Sequence, residues 1–456
     1  MKRMKLKKEV IEMKYVIIGG DAAGMSAAMQ IVRNEENPTI ITLERGGYYS
    51  YAQCGLPYVV GGHIPTTEKL VARDVETFRE KYKIDARTYH EVDQIDPNEK
   101  TVSGTNLKNN ERFTIEYDKL LIATGADPVL PNWEGRDLKG IHTIKTIPDI
   151  KDLQENLGRQ VKKATIIGGG YIGLEMAENL VDIGLEVAII EQQNQLATIF
   201  DKDMASLIHD EAEKHGVHLY LNESVQSFEG ANGMVKKINT DKQQLDTDLV
   251  IIAVGARPNT SFLKDTGLHF FVNGAIMVDA YMKTNLEDVW AAGDCATQFH
   301  RVKQKNDHIP LGTHANKQGR VAGLNMAGIP RLFKGVTGTS ILKFFDLTLA
   351  RTGLNETEAQ QLGLEYEIIS GEALHSAGYY PDPKQLQLKM IYDKATNRLL
   401  GAQVIGEAGV DKRIDILSVA LYHEMTVTGL EDLDLAYAPP YNGVWDPIQQ
   451  LARRQR

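Results

Sequence analysis

The residue in this sequence most suited to chemistry is Cys54, one of two cysteines in 456 residues. It stands in the segment SYAQCGLPYVVGG (50–62), which reads as a turn that opens a helix. A helix N-terminus favours a thiolate, so we expect a lowered thiol pKa and a nucleophilic sulfur. The alternative is a small buried hydrophobic residue. The other cysteine, Cys295, is expected to pack in the core.

A strand, a glycine-rich turn and a helix follow one another twice, at 14–34 and at 163–184. Each copy precedes an apolar segment that ends in a carboxylate, Glu44 or Glu191. Such turns let the backbone approach a pyrophosphate, and the carboxylate accepts hydrogen bonds from ribose hydroxyls. The sequence therefore predicts two dinucleotide sites, although Asp21 replaces the middle glycine of the first turn. The assigned turn residues are Gly19, Ala22 and Gly24 in the first copy and Gly168, Gly170 and Gly173 in the second.

Three further segments are strands that end in glycine turns. Two of them, at 117–131 and 249–259, lie where the chain would leave each of two nested units. The third, TNLEDVWAAGDCA (284–296), ends in a Gly-Asp pair. The residues that we assign to the cofactor sites outside the first two turns are Val92, Thr124, Gly125, Gly255, Gly293 and Asp294.

These elements predict an α/β fold: two nested Rossmann-like dinucleotide-binding domains plus a C-terminal α+β dimerisation domain. The first dinucleotide domain is expected to be discontinuous, over 13–130 and 260–335. The second is expected over 131–259 and the dimerisation domain over 336–456. Residues 1–12 read as a disordered or vector-derived extension.

The composition limits the classes of partner. A formal net charge of −10 argues against general binding to nucleic acid or to an anionic membrane, because both require a basic surface. No apolar stretch is long enough to span a bilayer, and the basic start lacks the apolar core of a signal peptide. Two cysteines in so long a chain fit a reducing compartment. We expect a cytoplasmic protein and predict no metal site.

From Met13 onward the chain resembles the pyridine nucleotide-disulfide oxidoreductases. Most members of that family carry two cysteines five residues apart, but position 59 here is Val. The segment around Cys54 is similar to that of the single-cysteine branch, which includes coenzyme A disulfide reductases, NADH peroxidases and NADH oxidases. The resemblance implies FAD in the first site and a nicotinamide cofactor in the second. Glu191, followed by two glutamines, favours NADH over NADPH.

Two features of the sequence distinguish between the members of this branch. Peroxidases and oxidases, which cycle through a cysteine sulfenic acid, carry a histidine where this sequence has Ala22. Coenzyme A disulfide reductases bring two tyrosines from the partner subunit to the cysteine. Their motifs match HSAGYYP and LAYAPPY, which gives Tyr379 and Tyr437 as catalytic candidates beside Cys54. A phenol can hydrogen-bond to a leaving thiolate or protonate it.

Candidate residues for coenzyme A begin with a triplet on the first helix. Ser26, Gln30 and Arg33 are spaced i, i+4 and i+7 and therefore share a face, from which Arg33 can meet a phosphate. The resemblance adds Ser50, Gln53 and Asn316 to the substrate site. It also places Tyr171, Ile172 and Glu175 near the flavin, with Tyr171 as a gate over the ring.

The sequence thus favours a homodimeric FAD enzyme with shared active sites that reduces coenzyme A disulfide with NADH, NADPH being possible. In that interpretation Cys54 forms a mixed disulfide with coenzyme A. One alternative is an NADH oxidase or peroxidase that uses a Cys54 sulfenic acid. Another is a flavoprotein that acts as a redox sensor or electron-transfer partner.

Overall fold

The computed structural model describes residues 13–158 and 161–455. It contains two five-stranded parallel sheets and one five-stranded antiparallel sheet. This is the predicted α/β fold with two nested Rossmann-like units and a C-terminal α+β domain. The extension predicted for residues 1–12 lies outside the described residues, and the proposed domain boundaries stay predictions.

The first parallel sheet has the strand order β18-β7-β1-β2-β3. Its strand β1 is KYVII, in which four of five residues are buried, as is typical of a strand covered on both faces. The elements before residue 130 are the strands β1 (Lys14–Ile18), β2 (Thr39–Glu44), β3 (Asp85–Thr88), β4 (His90–Asp96), β5 (Thr101–Asn106), β6 (Glu111–Glu116), β7 (Lys119–Ile122) and β8 (Ala126–Pro128), and the helices α1 (Ala22–Asn34), α2 (Leu56–Val60) and α3 (Val75–Glu80).

The second parallel sheet has the order β12-β11-β10-β16-β9 and repeats the arrangement of the first. Strand β10 pairs with β11 and β16 as β1 pairs with β2 and β7. The elements of this part are the strands β9 (Ile141–His142), β10 (Lys163–Ile167), β11 (Glu186–Glu191), β12 (His218–Leu221), β13 (Val225–Ala231), β14 (Met234–Thr240), β15 (Gln244–Asp246), β16 (Leu249–Ile252) and β17 (Ala256–Pro258), and the helices α4 (Ile147–Leu157), α5 (Tyr171–Asp182) and α6 (Lys202–Lys214).

The chain then returns to the first sheet, which makes that unit discontinuous. The returning elements are the strands β18 (Val289–Ala291), β19 (Gln298–His300) and β20 (Lys305–Asp307) and the helix α7 (Gly312–Met326). Strand β18 pairs with β7, and α7 packs closely on α1. The two segments that connect the first unit with the second lie side by side. They contain β8 and β17, which pair with each other as antiparallel strands.

The last part of the chain forms an antiparallel sheet in the order β21-β22-β25-β24-β23, with helices packed against it. Its buried Lys389 forms ion pairs with Asp201 and Asp203 of the second unit. The elements are the strands β21 (Ser340–Phe344), β22 (Leu347–Gly353), β23 (Tyr366–Leu374), β24 (Gln385–Asp393) and β25 (Leu399–Gly406), and the helices α8 (Glu356–Gln361), α9 (Val410–Tyr422), α10 (Val427–Glu431) and α11 (Pro447–Ala452).

This topology explains why motifs far apart in sequence meet. The strands of each sheet are parallel, so the turns that follow β1, β7 and β18 lie at one edge of the first sheet, and the turns that follow β10 and β16 lie at one edge of the second. Among the described residues, no helix is both long and apolar enough to cross a membrane.

Candidate active site

A large cavity lies between the two parallel sheets. Its volume of about 1810 Å³ exceeds the usual range for one small ligand, ~300–1,000 Å³, and therefore suits two dinucleotides that meet. Most of the predicted site residues line it. They are Gly19, Ala22, Glu44, Gln53, Cys54, Val92, Thr124, Gly125, Gly168, Gly170, Tyr171, Ile172, Glu175, Glu191, Gly255, Gly293, Asp294 and Asn316.

The two glycine-rich turns make the same hydrogen bonds. In the first, the backbone N–H of Gly20 donates to Glu44 Oε2 at 2.9 Å. In the second, the N–H of Gly169 donates to Glu191 Oε2 at 2.8 Å. Each carboxylate is thus fixed at the carboxyl end of its strand, where the ribose of a bound dinucleotide is expected.

Four glycines of the site show two different reasons for the absence of a side chain. Apart from its chain neighbours, a Cβ added at Gly125 or Gly170 would meet no atom of the described residues within 4 Å, so both positions face open space and fit a closely bound dinucleotide. Gly24 and Gly173 line no part of the cavity. A Cβ there would lie 2.0 Å from the carbonyl oxygen of Gly19 or Gly168, so these two glycines permit the close approach of helix and strand.

Cys54 is exposed at the cavity, in the 3₁₀ turn Gln53–Gly55 that leads into α2. Its pKa lies above the ordinary value, because the cavity walls partly shield the thiol from water, which disfavours the thiolate, and the carboxylates of Glu175 and Asp294 repel it. The lowered pKa that we expected from a helix N-terminus is therefore wrong for the chain alone. Helix α2 has only five residues, too few for a strong dipole.

Lys145 is a functional candidate that sequence reasoning missed. It lines the cavity, its Nζ lies 3.7 Å from Asp294 Oδ2, and it counteracts the carboxylates that raise the pKa of Cys54. It precedes α4, outside every motif, so no local signal pointed to it. Its cation favours a thiolate at Cys54 and can hold a phosphate or another anion in the cavity.

Asp21, which replaces a glycine of the first turn, contacts the segment that carries Cys54. Gln53 Nε2 donates to Asp21 Oδ2 at 2.7 Å, so the turn and the cysteine segment are linked directly. Burial raises the pKa of Asp21 to about 6. The sequence identified Asp21 only as a departure from the glycine pattern, because the contact joins residues from two separate segments.

Tyr171 and Glu175 lie on one face of α5 at the cavity. The hydroxyl of Tyr171 forms a hydrogen bond with that of Ser340, on the first strand of the C-terminal sheet. Burial, followed by repulsion from Glu178, raises the pKa of Glu175 to about 7. Glu178 in turn is buried and pairs with Lys343.

The raised pKa of Glu175 predicts a pH-dependent stability. Between pH 4.5 and about 7 the folded chain holds a proton that the unfolded chain has lost, so stability falls as the pH rises through this window. Glu175→Gln should therefore stabilise the protein by about 2 kcal/mol at pH 8 and little at pH 4.5. Denaturant unfolding at the two pH values measures this difference. The exposed Glu116→Gln is the control, and an equal effect of Glu175→Gln at both pH values would contradict the assignment.

Cys295, by contrast, has no exposed surface and is not part of the cavity lining. Its Sγ lies 3.4 Å from the carbonyl oxygens of Ile122 and Ala292. The expected packing role agrees with this burial. Among the described residues, Cys54 therefore has no second thiol beside it in the same chain.

The candidate substrate residues lie where α1 and α7 pack together. Ser26 Oγ donates to Asn316 Oδ1 at 2.8 Å, and Gln30 and Arg33 continue along the outer face of α1, with Arg33 exposed. Asn316 alone of these four lines the cavity. Ser50 lies outside the cavity lining, and its N–H donates to the carbonyl of Gly20 at 3.0 Å.

Tyr379 and Tyr437 are not part of their own chain's cavity. Their side chains are joined by a hydrogen bond of 2.8 Å between the hydroxyls, which raises the pKa of Tyr379. They are also well exposed, at 76% and 46% of their surface. An exposed phenol pair on the C-terminal domain is available to another molecule.

Comparison with known proteins defines the class. The family described as pyridine nucleotide-disulphide oxidoreductase matches residues 13–319, and its dimerisation domain matches residues 339–447. A relative from Pyrococcus abyssi, named NAD(P)H sulfur oxidoreductase (CoA-dependent), is 40% identical over 99% of each chain. The coenzyme A disulfide reductase of Staphylococcus haemolyticus is 33% identical over 97% of this chain and 99% of its own.

A solved structure of the water-forming NADH oxidase from Lactobacillus brevis is 31% identical, with a TM-score of 0.93 over 97% of each chain. Two dinucleotide units that share a cavity with a lone cysteine define a flavoprotein oxidoreductase that uses FAD and NAD(P)H. This chain belongs to the pyridine nucleotide-disulphide oxidoreductase family.

Proposed function

We propose that this protein reduces coenzyme A disulfide with NADH through a Cys54–S–S–CoA mixed disulfide. The observation that carries the proposal is the position of Cys54, at the cavity shared by the two dinucleotide units and without a second thiol beside it among the described residues. A redox disulfide at Cys54 then needs a sulfur from the substrate. Coenzyme A is proposed as the source of that sulfur because relatives are named coenzyme A disulfide reductase and NAD(P)H sulfur oxidoreductase (CoA-dependent).

The sulfur chemistry balances with one cysteine. The Cys54 thiolate attacks one sulfur of CoA–S–S–CoA, so that a Cys54–S–S–CoA bond forms, the substrate S–S bond breaks and one CoA thiolate leaves. FAD held by the first turn, at Gly19, Ala22 and Glu44, would supply the electron pair from NADH that is needed to cleave this mixed disulfide. A second CoA thiolate then leaves and Cys54 returns to the thiolate, which Lys145 favours.

We infer a homodimer in which Tyr379 and Tyr437 act on the partner subunit's Cys54. Support comes from the exposure of this pair and from exposed apolar side chains in the segment that follows Tyr437, since large exposed apolar patches mark interaction sites. These side chains are Tyr441, Val444 and Trp445. A phenol placed near the departing sulfur can donate a proton to the CoA thiolate, so that the product leaves as a thiol.

The coenzyme A moiety is assigned to the outer face of α1 and α7. Ser26, Gln30 and Asn316 offer polar groups for its amide-containing arm, and the exposed Arg33 offers a cation for its phosphates. Gln53 and Ser50, which are close to Cys54 in sequence, are assigned to the end of this binding surface that is nearest the cysteine.

The proposal is tested by comparing NADH consumption with different oxidants. Coenzyme A disulfide should give the highest kcat/KM, well above glutathione disulfide, hydrogen peroxide or oxygen. Polysulfide with added coenzyme A is included because of the sulfur-reducing relative. Faster turnover with oxygen or peroxide would instead assign Cys54 to sulfenic acid chemistry, and negligible turnover with every disulfide would point to a redox sensor or an electron-transfer partner.

We expect a preference for NADH, because both carboxylate oxygens of Glu191 are held at the end of β11 by backbone N–H groups. The 2'-phosphate of NADPH would meet this negative charge. The kcat/KM for NADH should exceed that for NADPH by roughly tenfold, ~1.4 kcal/mol, and Glu191→Gln should reduce the ratio. Glu186→Gln, at the other end of the same strand, is the control. Equal efficiency of both nucleotides in the unaltered enzyme would contradict the role of Glu191.

A further inference from the structure

Arg413 is a fully buried cation in the C-terminal domain, with only 1% of its side chain exposed. It lies on α9, and its guanidinium is 3.2 Å from the carboxylate of Asp446, which is itself fully buried. A buried arginine is costly unless its donors are satisfied. Its Nε has no hydrogen-bond partner among the described residues, whereas Nη1 and Nη2 both donate, and their acceptors show which segments Arg413 connects.

The guanidinium of Arg413 contacts both segments that carry the candidate tyrosines. Nη2 donates to the carbonyl of His375, four residues before Tyr379, at 3.0 Å. The same nitrogen donates to Asn442 Oδ1 at 3.0 Å, in the segment that follows Tyr437. Nη1 donates to the carbonyl of Gly409 at the start of the helix.

Asn442 extends this contact to the backbone beside the second tyrosine. Its Nδ2 donates to the carbonyl of Ala436, the residue before Tyr437, at 3.3 Å and to Asp446 Oδ2 at 2.8 Å. The two segments also meet directly, since the N–H of Ala377 donates to the carbonyl of Pro439 at 3.0 Å. The two segments are thus held together by this backbone hydrogen bond and by a buried network formed by Arg413, Asn442 and Asp446.

We propose that Arg413 is a positioning residue that holds Tyr379 and Tyr437 together for the partner subunit's active site. The inference rests on the proposed function of the tyrosines. The 2.8 Å hydrogen bond between the two hydroxyls requires the two segments to keep a fixed relative position. Both tyrosines are too exposed for local packing to fix their side chains. A planar guanidinium presents its donors in a fixed fork that matches acceptors on three segments, whereas a lysine presents its three donors from a single nitrogen on a flexible stem.

The first test measures turnover of coenzyme A disulfide by the FAD-loaded dimer. Arg413→Gln should lower kcat by roughly tenfold to a hundredfold, the range expected for a misplaced catalytic group, and leave the rate of flavin reduction by NADH unchanged. Arg413→Lys should not restore the kcat for coenzyme A disulfide. Lys412→Gln is the matched control: it removes the neighbouring cation, 3.6 Å from the same Asp446, without touching either tyrosine segment.

The second measurement separates positioning from general stability. In a Tyr379→Phe, Tyr437→Phe background, Arg413→Gln should cause no further fall in kcat, because it acts through the tyrosines that are already disabled. Asn442→Ala provides the same comparison if Arg413→Gln fails to form dimers. A further fall of tenfold in that background would overturn the inference.

The most specific test uses heterodimers that carry Cys54→Ser and Arg413→Gln on the same subunit or on different subunits. When Cys54→Ser and Arg413→Gln are on different subunits, one site keeps an intact cysteine and an intact network, so about half of the normal activity is expected. When both changes are on one subunit, neither site is complete and activity should fall to the Arg413→Gln level or below. Equal activity in the two arrangements would overturn the role of Arg413. If changing the tyrosines themselves has no effect, the shared site of the proposed function is wrong instead.

Discussion

Cys54→Ser is expected to abolish turnover of coenzyme A disulfide while leaving the protein folded and loaded with FAD. Serine changes little in volume, but its hydroxyl can neither form a mixed disulfide nor leave as a stable anion at neutral pH. The loss should reach background, which is the largest effect that we predict for any single substitution. Reduction of the bound flavin by NADH, followed anaerobically by its absorbance, should continue because that step uses the two nucleotide sites.

The matched control is Cys295→Ser, which changes the other cysteine. Cys295 is fully buried, so this change should reduce stability modestly and leave turnover close to normal. Normal turnover of coenzyme A disulfide by the Cys54 variant would show that Cys54 has only a structural role.

The second large effect is expected from tyrosines that act across the dimer. A Tyr379→Phe, Tyr437→Phe homodimer should lose ~10²-fold or more in kcat, because the leaving CoA thiolate loses its proton donor. A heterodimer of this subunit with a Cys54→Ser subunit should regain about half of the normal activity. In that heterodimer the intact cysteine of one subunit meets the intact tyrosines of the other.

Differently tagged subunits, co-expressed and purified through both tags, provide the heterodimer for this measurement. The corresponding homodimers of each variant are the controls, and neither should turn over appreciably. Verified heterodimers without regained activity would exclude a site shared between subunits.

The repeated dinucleotide units could be predicted from the sequence because their signals are local. The apolar run at 163–167, the glycines after it and the carboxylate of Glu191 follow one another within thirty residues, and the structure has β10, the turn, α5 and β11 in that order. Cys54 and the glycine turns meet at one cavity because parallel strands place their carboxyl ends at the same edge.

Other features depend on contacts between distant segments, which a single sequence does not display. The pKa of Cys54 is raised by desolvation at the cavity and by Glu175 and Asp294, residues more than one hundred positions away. Lys145 and Ser340 reach the cavity from outside every motif. The glycine pattern assigned Gly24 and Gly173 to the cofactor turns, but it did not display the steric limit there, which comes from the carbonyl groups of Gly19 and Gly168.

The mass of the intact protein under non-reducing conditions tests the central claim most directly. If Cys54 works as a mixed disulfide, the oxidised enzyme incubated with coenzyme A disulfide should carry one CoA moiety per subunit. Dithiothreitol should remove it, and Cys54→Ser should never acquire it, whereas Cys295→Ser should acquire it normally. A subunit that gains a single oxygen at Cys54 instead, or that stays unmodified while it still reduces coenzyme A disulfide, would contradict the mechanism.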